Sequence, residues 1–225
     1  MNNSLIISLL FLIVGCSKLI DEPSLIEKNG VMYLPQSDKP YSGDVSKSDN
    51  FGKTLLKGTY KNGKKDGLWT WWDENRQKKR ERTFKDGEQD GLWTQWFENG
   101  QKDSENLWKD GKLDGLSTFW YEDGQKMGEG TYKNGNRVGL YTQWFENGQK
   151  EYEETYKGGK EDRLWTWWYE NGQKKFEGIS KDGKRDGLWT DWDENGKKLK
   201  EETYTDGELI SQECWDEDGN EKECD

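Results

Sequence analysis

The sequence predicts an all-β protein: an elongated, single-layer antiparallel sheet built from tandem β-hairpin repeats of 24 residues, a solenoid of hairpins. Three observations lead there. The phrases GLWTWW, GLWTQW, GLSTFW, GLYTQW, RLWTWW and GLWTDW begin at Gly67, Gly91, Gly115, Gly139, Arg163 and Gly187, each 24 residues after the last. Each phrase alternates its fixed and variable residues, as a strand does, and all but the first, which meets Asn75-Arg76, run into an Asn/Asp-Gly turn signal. The chain has no Ala and no apolar run at the helical period, so the best helix former and the helix signal are missing together.

From the start of the chain, residues 1–16 read MNNSLIISLLFLIVGC, an apolar run from Leu5 to Val14 that ends on a small residue and a cysteine. Such a run is a secretory leader, too short to stay as a membrane span. Ile13, Val14, Gly15 and Cys16 resemble the lipobox of bacterial lipoproteins, although the MNNS start lacks the usual Lys or Arg. That resemblance implies lipidation at Cys16 and a membrane anchored through it. It also implies export to the bacterial cell envelope, on the outer membrane where the cell has one. The alternative is an ordinary cleaved signal peptide. Residues 17–42 carry all three prolines and lie outside the 24-residue frame, reading as a tether and a short leading strand around Gly30 to Leu34. The hairpin repeats then occupy 43–210, a weaker unit from Gly43 first, and 211–225 form a C-terminal capping hairpin.

Within a unit the second position is always Leu (Leu68 to Leu188), the fourth always Thr (Thr70 to Thr190) and the sixth always Trp (Trp72 to Trp192). These three share one face of a strand, and invariance argues that this is the packed face. On that reading Trp144 is core and Gln143 is not. Turns such as Glu98 to Gly100 follow, with Arg76 standing where the others have Gly, so a strained or altered turn is expected there. The return strand carries a fixed Glu (Glu81, Glu105, Glu129, Glu153, Glu177, Glu201) and ends on an aromatic in most units. A three-residue loop with a glycine bulge would put that aromatic on the Leu/Thr/Trp face and keep the Glu off it, avoiding the burial of an unpaired carboxylate.

Composition excludes several functions. A net charge of −11 argues against nucleic acid as a partner, which demands a basic surface. With no His there is no imidazole base or Ser-His-Asp triad, and no phosphate-cradling glycine loop is present. Carboxylate pairs such as Asp73 with Glu74 or Glu153 with Glu154 read as solvated turn and strand faces, and Asp216 to Asn220 as an acidic turn. We expect no enzyme activity, no cofactor and no metal. The chemistry that remains is aromatic. Trp69, Trp93, Tyr141, Trp165 and Trp189 at the variable third position, with Phe97, Tyr121, Phe145 and Tyr169 at the strand ends, form the candidate binding surface. A protein partner is the first expectation for it and a carbohydrate or peptidoglycan ligand the second.

The pattern G-x-W, aromatic, NG turn, then Y-K-[ND]-G-K-x-D-G resembles the bacterial variant of MORN repeats, found in antitoxin-repeat, YwqK-like proteins, over about residues 40–210. The resemblance implies a non-enzymatic scaffold or spacer. The antitoxin label implies a cytosolic role that the leader contradicts. With Cys16 assigned to lipid, Cys214 and Cys224 remain as an even pair in an oxidising compartment. In the 24-residue frame Cys214 falls at the Thr position and Cys224 on the return strand, one residue from register, so a disulfide closing the last hairpin is expected.

Overall fold

The computed structural model describes residues 19–158 and 160–224, with the backbone alone at 161–163. The leader and Cys16 lie outside the described residues. Three short strands come first: β1 (Ile20–Asp21), β2 (Ile26–Lys28) and β3 (Val31–Tyr33). The meander follows as β4 (Gly43–Ser48), β5 (Thr54–Lys61), β6 (Lys64–Trp72), β7 (Lys78–Lys85), β8 (Glu88–Trp96), β9 (Lys102–Lys109), β10 (Lys112–Trp120) and β11 (Lys126–Lys133). It continues through β12 (Asn136–Trp144), β13 (Lys150–Lys157), β14 (Lys160–Trp168), β15 (Lys174–Lys181), β16 (Lys184–Trp192), β17 (Lys198–Thr205), β18 (Glu208–Trp215) and β19 (Glu221–Lys222). β4 to β19 pair in sequence order, all antiparallel, and β1 adds to β4 in parallel, giving one open 17-stranded sheet; β2 and β3 form a separate hairpin.

Two turn types alternate. The return strands end in two-residue turns with both residues left-handed, such as Asp86 (φ 49°) and Gly87 (φ 91°), the pairing whose twist suits a tight hairpin. The glycine N–H of such a turn bonds back to the preceding unit, as Gly87 to Lys65 O at 2.8 Å, Gly111 to Gln89 O at 2.9 Å and Gly135 to Leu113 O at 2.8 Å. At the other edge are three-residue loops, with Phe97 N–H on Gln101 O (2.9 Å) and Gly100 N–H on Phe97 O (3.0 Å). Asn99, Asn147 and Asn171 in these loops donate to the carbonyls of Glu122, Glu170 and Glu194 in the next unit, at 2.6, 2.8 and 2.6 Å. Arg76 makes the same turn as the glycines, at φ 68° with its N–H 3.1 Å from Asp73 O. Of the strained or altered turn expected there, the hydrogen bonding is unaltered and the strain is present, in a non-glycine residue held in the left-handed region.

The three-residue loop is present, yet the register differs from the one expected. Trp72 pairs with Lys78 but Trp71 pairs with Arg80, leaving Lys79 outside the ladder as a bulge. The same step skips Asp103, Met127, Glu151, Lys175 and Leu199. One extra residue flips every side chain beyond it. The repeated Glu therefore faces Thr, as in Thr70 opposite Glu81 and Thr142 opposite Glu153, and the terminal aromatic goes to the other face. The Gly that opens each phrase lies in a second irregularity, where Asp90, Gly91 and Leu92 face Thr83 alone.

Packing also reverses the expectation. The Leu row is exposed, from 46% at Leu92 to 55% at Leu68, while the variable third position is the buried one: Trp69 0%, Ser117 0%, Tyr141 6% and Trp189 3%. A ring can be covered on a one-layer sheet because it lies flat across the neighbouring strand. Trp189 rests on Gly178, Trp69 on Gly58 and Tyr141 on Gly130, so close that a Cβ on those glycines would be 2.0, 2.1 and 2.5 Å from the rings. The indole N–H then reaches a backbone carbonyl, Trp69 to Thr59 O at 3.1 Å and Trp189 to Ile179 O at 2.9 Å.

From Leu19 onward the N-terminal segment is not a tether. Ile20, Leu25 and Met32 fold onto Tyr41, Val45, Leu56, Tyr60 and Trp69, making a small core that covers the first end of the aromatic face. At the far end Cys214 and Cys224 are bonded, Cα to Cα 5.4 Å. The last unit lacks the phrase glycine and its bulge is a residue shorter, so Glu213 faces Glu201 and Cys214 faces Lys200. Cys214 is thus not at the Thr position. Cys224 lies two residues beyond Lys222, the partner of Cys214, so the bridge runs diagonally.

Candidate functional site: two faces of one sheet

On the Thr face a single motif recurs. The Thr70, Thr118, Thr142 and Thr166 hydroxyls donate to Glu81, Glu129, Glu153 and Glu177 at 3.3, 3.4, 3.3 and 3.1 Å. Each of these carboxylates also holds a Lys three residues earlier, with Lys78 to Glu81 at 2.7 Å and Lys126 to Glu129 at 2.6 Å. The Lys in turn lies over the Trp of the next unit, Lys78 at 5.7 Å from the Trp96 ring centre and Lys150 at 5.6 Å from Trp168. Invariance at Thr, Glu, Lys and Trp thus comes from a Thr–Glu–Lys–Trp chain that locks each unit to the next. Half-exposed ion pairs of this kind are worth at most about 1 kcal/mol each, but the four partners restrict one another. Trp144 is half-buried and belongs to this chain. Gln143, on the other face, donates to Glu151 at 2.7 Å and accepts from the Tyr152 hydroxyl at 2.9 Å. Beside the motif runs the exposed aliphatic row Leu68, Leu92, Leu116, Leu140, Leu164 and Leu188, joined by Leu107 and Ile179.

The aromatic face carries rings in two runs. Tyr60, Trp69, Phe84, Trp93 and Trp108 follow one another at centre distances of 4.7–6.5 Å. A second run goes through Tyr141, Tyr152, Trp167, Phe176 and Trp189 at 4.7–6.2 Å. Of the predicted binding residues, Trp69, Tyr141 and Trp189 are buried within these runs and cannot offer a ring face to a ligand. Trp93 and Trp165 are half-buried, and Phe97, Tyr121, Phe145 and Tyr169 are half-buried at the loop edge. Tyr121 and Tyr169 act there as staples, donating to Trp144 O at 2.7 Å and Trp192 O at 2.9 Å in the next unit.

The runs are interrupted where Ser117 replaces an aromatic and Ser104 and Gly128 stand where other repeats have Arg80, Tyr152, Phe176 and Lys200. Beside this break is a cavity of about 280 Å3 lined by Arg82, Trp93, Ser104, Asn106, Trp108 and Phe119 among others. The indole N–H groups of Trp93 and Trp108 are buried without an acceptor in the protein.

Sequence reasoning missed a cationic cluster next to this cavity. The Arg82 guanidinium lies 3.8 Å from the Trp93 ring centre and Arg80 lies 5.0 Å from Trp71. Lys65 sits 4.5 Å over Trp69 and 5.4 Å over Phe84. Burial, and beyond it Arg82 and Arg80, outweigh the nearby Glu22 and hold the Lys65 pKa below its ordinary value. Burial and then Arg80 lower that of Arg82. The readable signal was positional: the positions equivalent to Arg82 are Asn106, Gly130, Glu154, Gly178 and Glu202.

Among the described residues no group of His, Cys, Asp and Glu could hold a metal ion, and no helix is long and apolar enough to cross a membrane. No curated protein matches the chain. The family model described as "MORN repeat variant" matches at residues 65–86, 89–110, 113–134, 137–157, 164–182 and 185–206, each match centred on one hairpin and its three-residue loop. A sheet of such hairpins, matched six times over more than half the sequence, makes this chain a member of the MORN repeat variant family.

Proposed function

We propose that the chain is a non-enzymatic, lipid-anchored repeat protein of the bacterial cell envelope that serves as an interaction scaffold or spacer for a protein partner. The observation that carries this reading is the aliphatic row of the Thr face, repeated every 24 residues and about half exposed at each Leu. A repeated row of exposed apolar side chains suits an extended polypeptide laid across the strands, and strands spaced at about 4.8 Å set its pitch at roughly 10 Å per unit. Anchorage at Cys16 would hold one end of the sheet at a membrane. In-cell crosslinking of the intact chain, followed by mass spectrometry, tests the reading against a variant with Leu92, Leu116 and Leu140 all replaced by Thr, which keeps strand propensity. The wild type should capture a partner that the variant loses; equal capture by both would refute the use of this row.

A second reading, a carbohydrate or peptidoglycan binder on the aromatic face, has a separate observation in its favour. The buried indole N–H groups of Trp93, Trp108, Trp165 and Trp167 lack acceptors, and such donors beside ring faces suit hydroxyl-bearing ligands. With Trp69, Tyr141 and Trp189 buried, this would be local pockets and not a continuous platform. Saturable quenching of Trp fluorescence by soluble cell-wall fragments is its test, and no response to any glycan would sink it.

A further inference from the structure

The first full repeat sets a cation, Arg82, where two later repeats set an anion, Glu154 and Glu202. Arg185 meets Glu202 at 3.2 Å and also bonds the Tyr204 hydroxyl at 2.9 Å. Arg137, one repeat pair earlier, bonds the hydroxyls of Tyr132 (3.1 Å) and Tyr156 (2.9 Å), and Tyr156 itself donates to Glu154. The equivalent pair in the first repeat is Lys65 with Arg82, a cation facing a cation, and Arg80 adds a third. In a chain of net charge −11 this is a local inversion of sign.

Glu22 lies near Lys65 and lines the cavity on which Arg80 borders, but neither arginine is directly paired. Among the described residues, neither Arg80 nor Arg82 forms an ion pair or side-chain hydrogen bond, and the buried Arg80 Nε has no acceptor. The Arg82 guanidinium carbon lies 3.8 Å from the Trp93 ring centre, close enough for the two planes to stack. Such stacking uses the guanidinium face and leaves the in-plane N–H donors for an acceptor, and a planar fork of donors matches a carboxylate. Like charges packed together in a partly desolvated site are unfavourable unless an anion joins them.

The cavity beside Arg82 supplies the rest of the recognition. Its rings, Trp93, Trp108 and Phe119, flank Ser104 and Asn106, and the buried indole N–H groups of Trp93 and Trp108 have no acceptor in the protein. At about 280 Å3 it has room for a single sugar ring. The geometry points to a binding site for one acidic saccharide unit, its carboxylate on Arg82 and its ring between Trp93, Trp108 and Phe119. This inference rests on the saccharide reading above and narrows it to one place and one charge.

The test is calorimetric titration of the full chain in detergent with four probes: a glucuronate oligosaccharide, a neutral glucose oligosaccharide of the same length, inorganic phosphate and a tetraglutamate peptide. The glucuronate probe should bind saturably, one per chain, and at least tenfold more tightly than the other three. Arg82→Gln should weaken it about tenfold, whereas Arg185→Gln, on the same face but paired to Glu202, should leave it unchanged. Ser117→Trp, which restores a ring at the break, should also abolish binding; thermal unfolding of each variant shows whether it is folded, and Arg82→Gln decides alone if Ser117→Trp is not. Equal binding of acidic and neutral sugars would overturn this inference and leave the saccharide reading standing, while no binding of either would overturn both. Tightest binding by phosphate or by the peptide, or an Arg82→Gln variant that binds like the wild type, would also overturn it.

Discussion

At the scale of single residues, the aromatic face is set by which neighbour each ring is given. Trp189, Tyr141 and Trp69 are buried because Gly178, Gly130 and Gly58 leave the sheet bare beneath them, whereas Trp93 has Arg82 opposite and stays half-exposed. Gly178 has an ordinary strand conformation, so its lack of a side chain is a matter of space. Gly178→Ala should therefore cost about 1–3 kcal/mol, the usual range for overpacking a tight site, read as a lower midpoint in denaturant. Trp189→Ala should cost about 3–5 kcal/mol, and Leu188→Ala, half-exposed, under about 1 kcal/mol; a larger loss at Leu188 would mean the faces are assigned the wrong way round. Arg76 pays a left-handed conformation at φ 68° that the other units give to Gly. Arg76→Gly should raise stability by about 1 kcal/mol, seen as a higher melting temperature. The sequence made the turns and the strand positions readable at this scale, because Asn-Gly and alternation act locally. Burial was misread because invariance was taken for packing, whereas Thr, Glu, Lys and Trp are invariant through bonding to the next repeat.

At the scale of the hairpin, the decisive feature is the bulge after the fixed Lys. Its residue is Lys79, Asp103, Met127, Glu151, Lys175 or Leu199 in successive units, a position with no shared chemistry between strictly kept neighbours. That pattern was the available sign that the residue points out of the ladder, and reading it would have put Glu opposite Thr from the sequence alone. The hairpin loops are held by short polar caps. Asp193 accepts from the N–H groups of Asn195 and Lys197 at 2.9 and 2.8 Å, and Asp216 accepts from Asp218 and Asn220 at 3.0 and 2.8 Å. Backbone donors, from Lys197 and from Asn220 foremost, hold both carboxyls below the usual aspartate range. A depressed folded-state pKa adds stability that is complete above the unfolded value of about 3.9 and fades as pH falls through the folded value. Melting temperature should therefore drop below about pH 4, and Asp193→Asn should remove part of that drop; a variant with an unchanged acid limb would show that the cap contributes nothing to it.

At the scale of the whole molecule, stability has to be local, because each hairpin touches only the strands on either side. The open sheet ends in a two-residue strand at each edge, β1 and β19, which leaves little free edge for another chain to pair with. The two ends are closed differently. The first is covered by the core around Tyr41, Val45 and Trp69, and the tether reading failed there because Ile20, Leu25 and Met32 are scattered in sequence and only converge on a face supplied by later strands. The second has no such cover. β18 is exposed along most of its length, and β19 pairs through Cys214 with Lys222 and Trp215 with Glu221 alone. The Cys214–Cys224 bridge supplies what packing does not, since closing a short loop in the unfolded chain is worth roughly 2–3 kcal/mol in the chain-entropy account. In a linear array that gain stays near the end where it is made. Hydrogen exchange of the double variant Cys214→Ser, Cys224→Ser should accordingly be faster at the amides of β18 and β19, and to a smaller degree β17, with β12 exchanging as in the wild type. Acceleration spread evenly from β5 to β18 would instead mean that the sheet unfolds as one cooperative body, and the bridge would then stabilise the whole molecule and not its last hairpin.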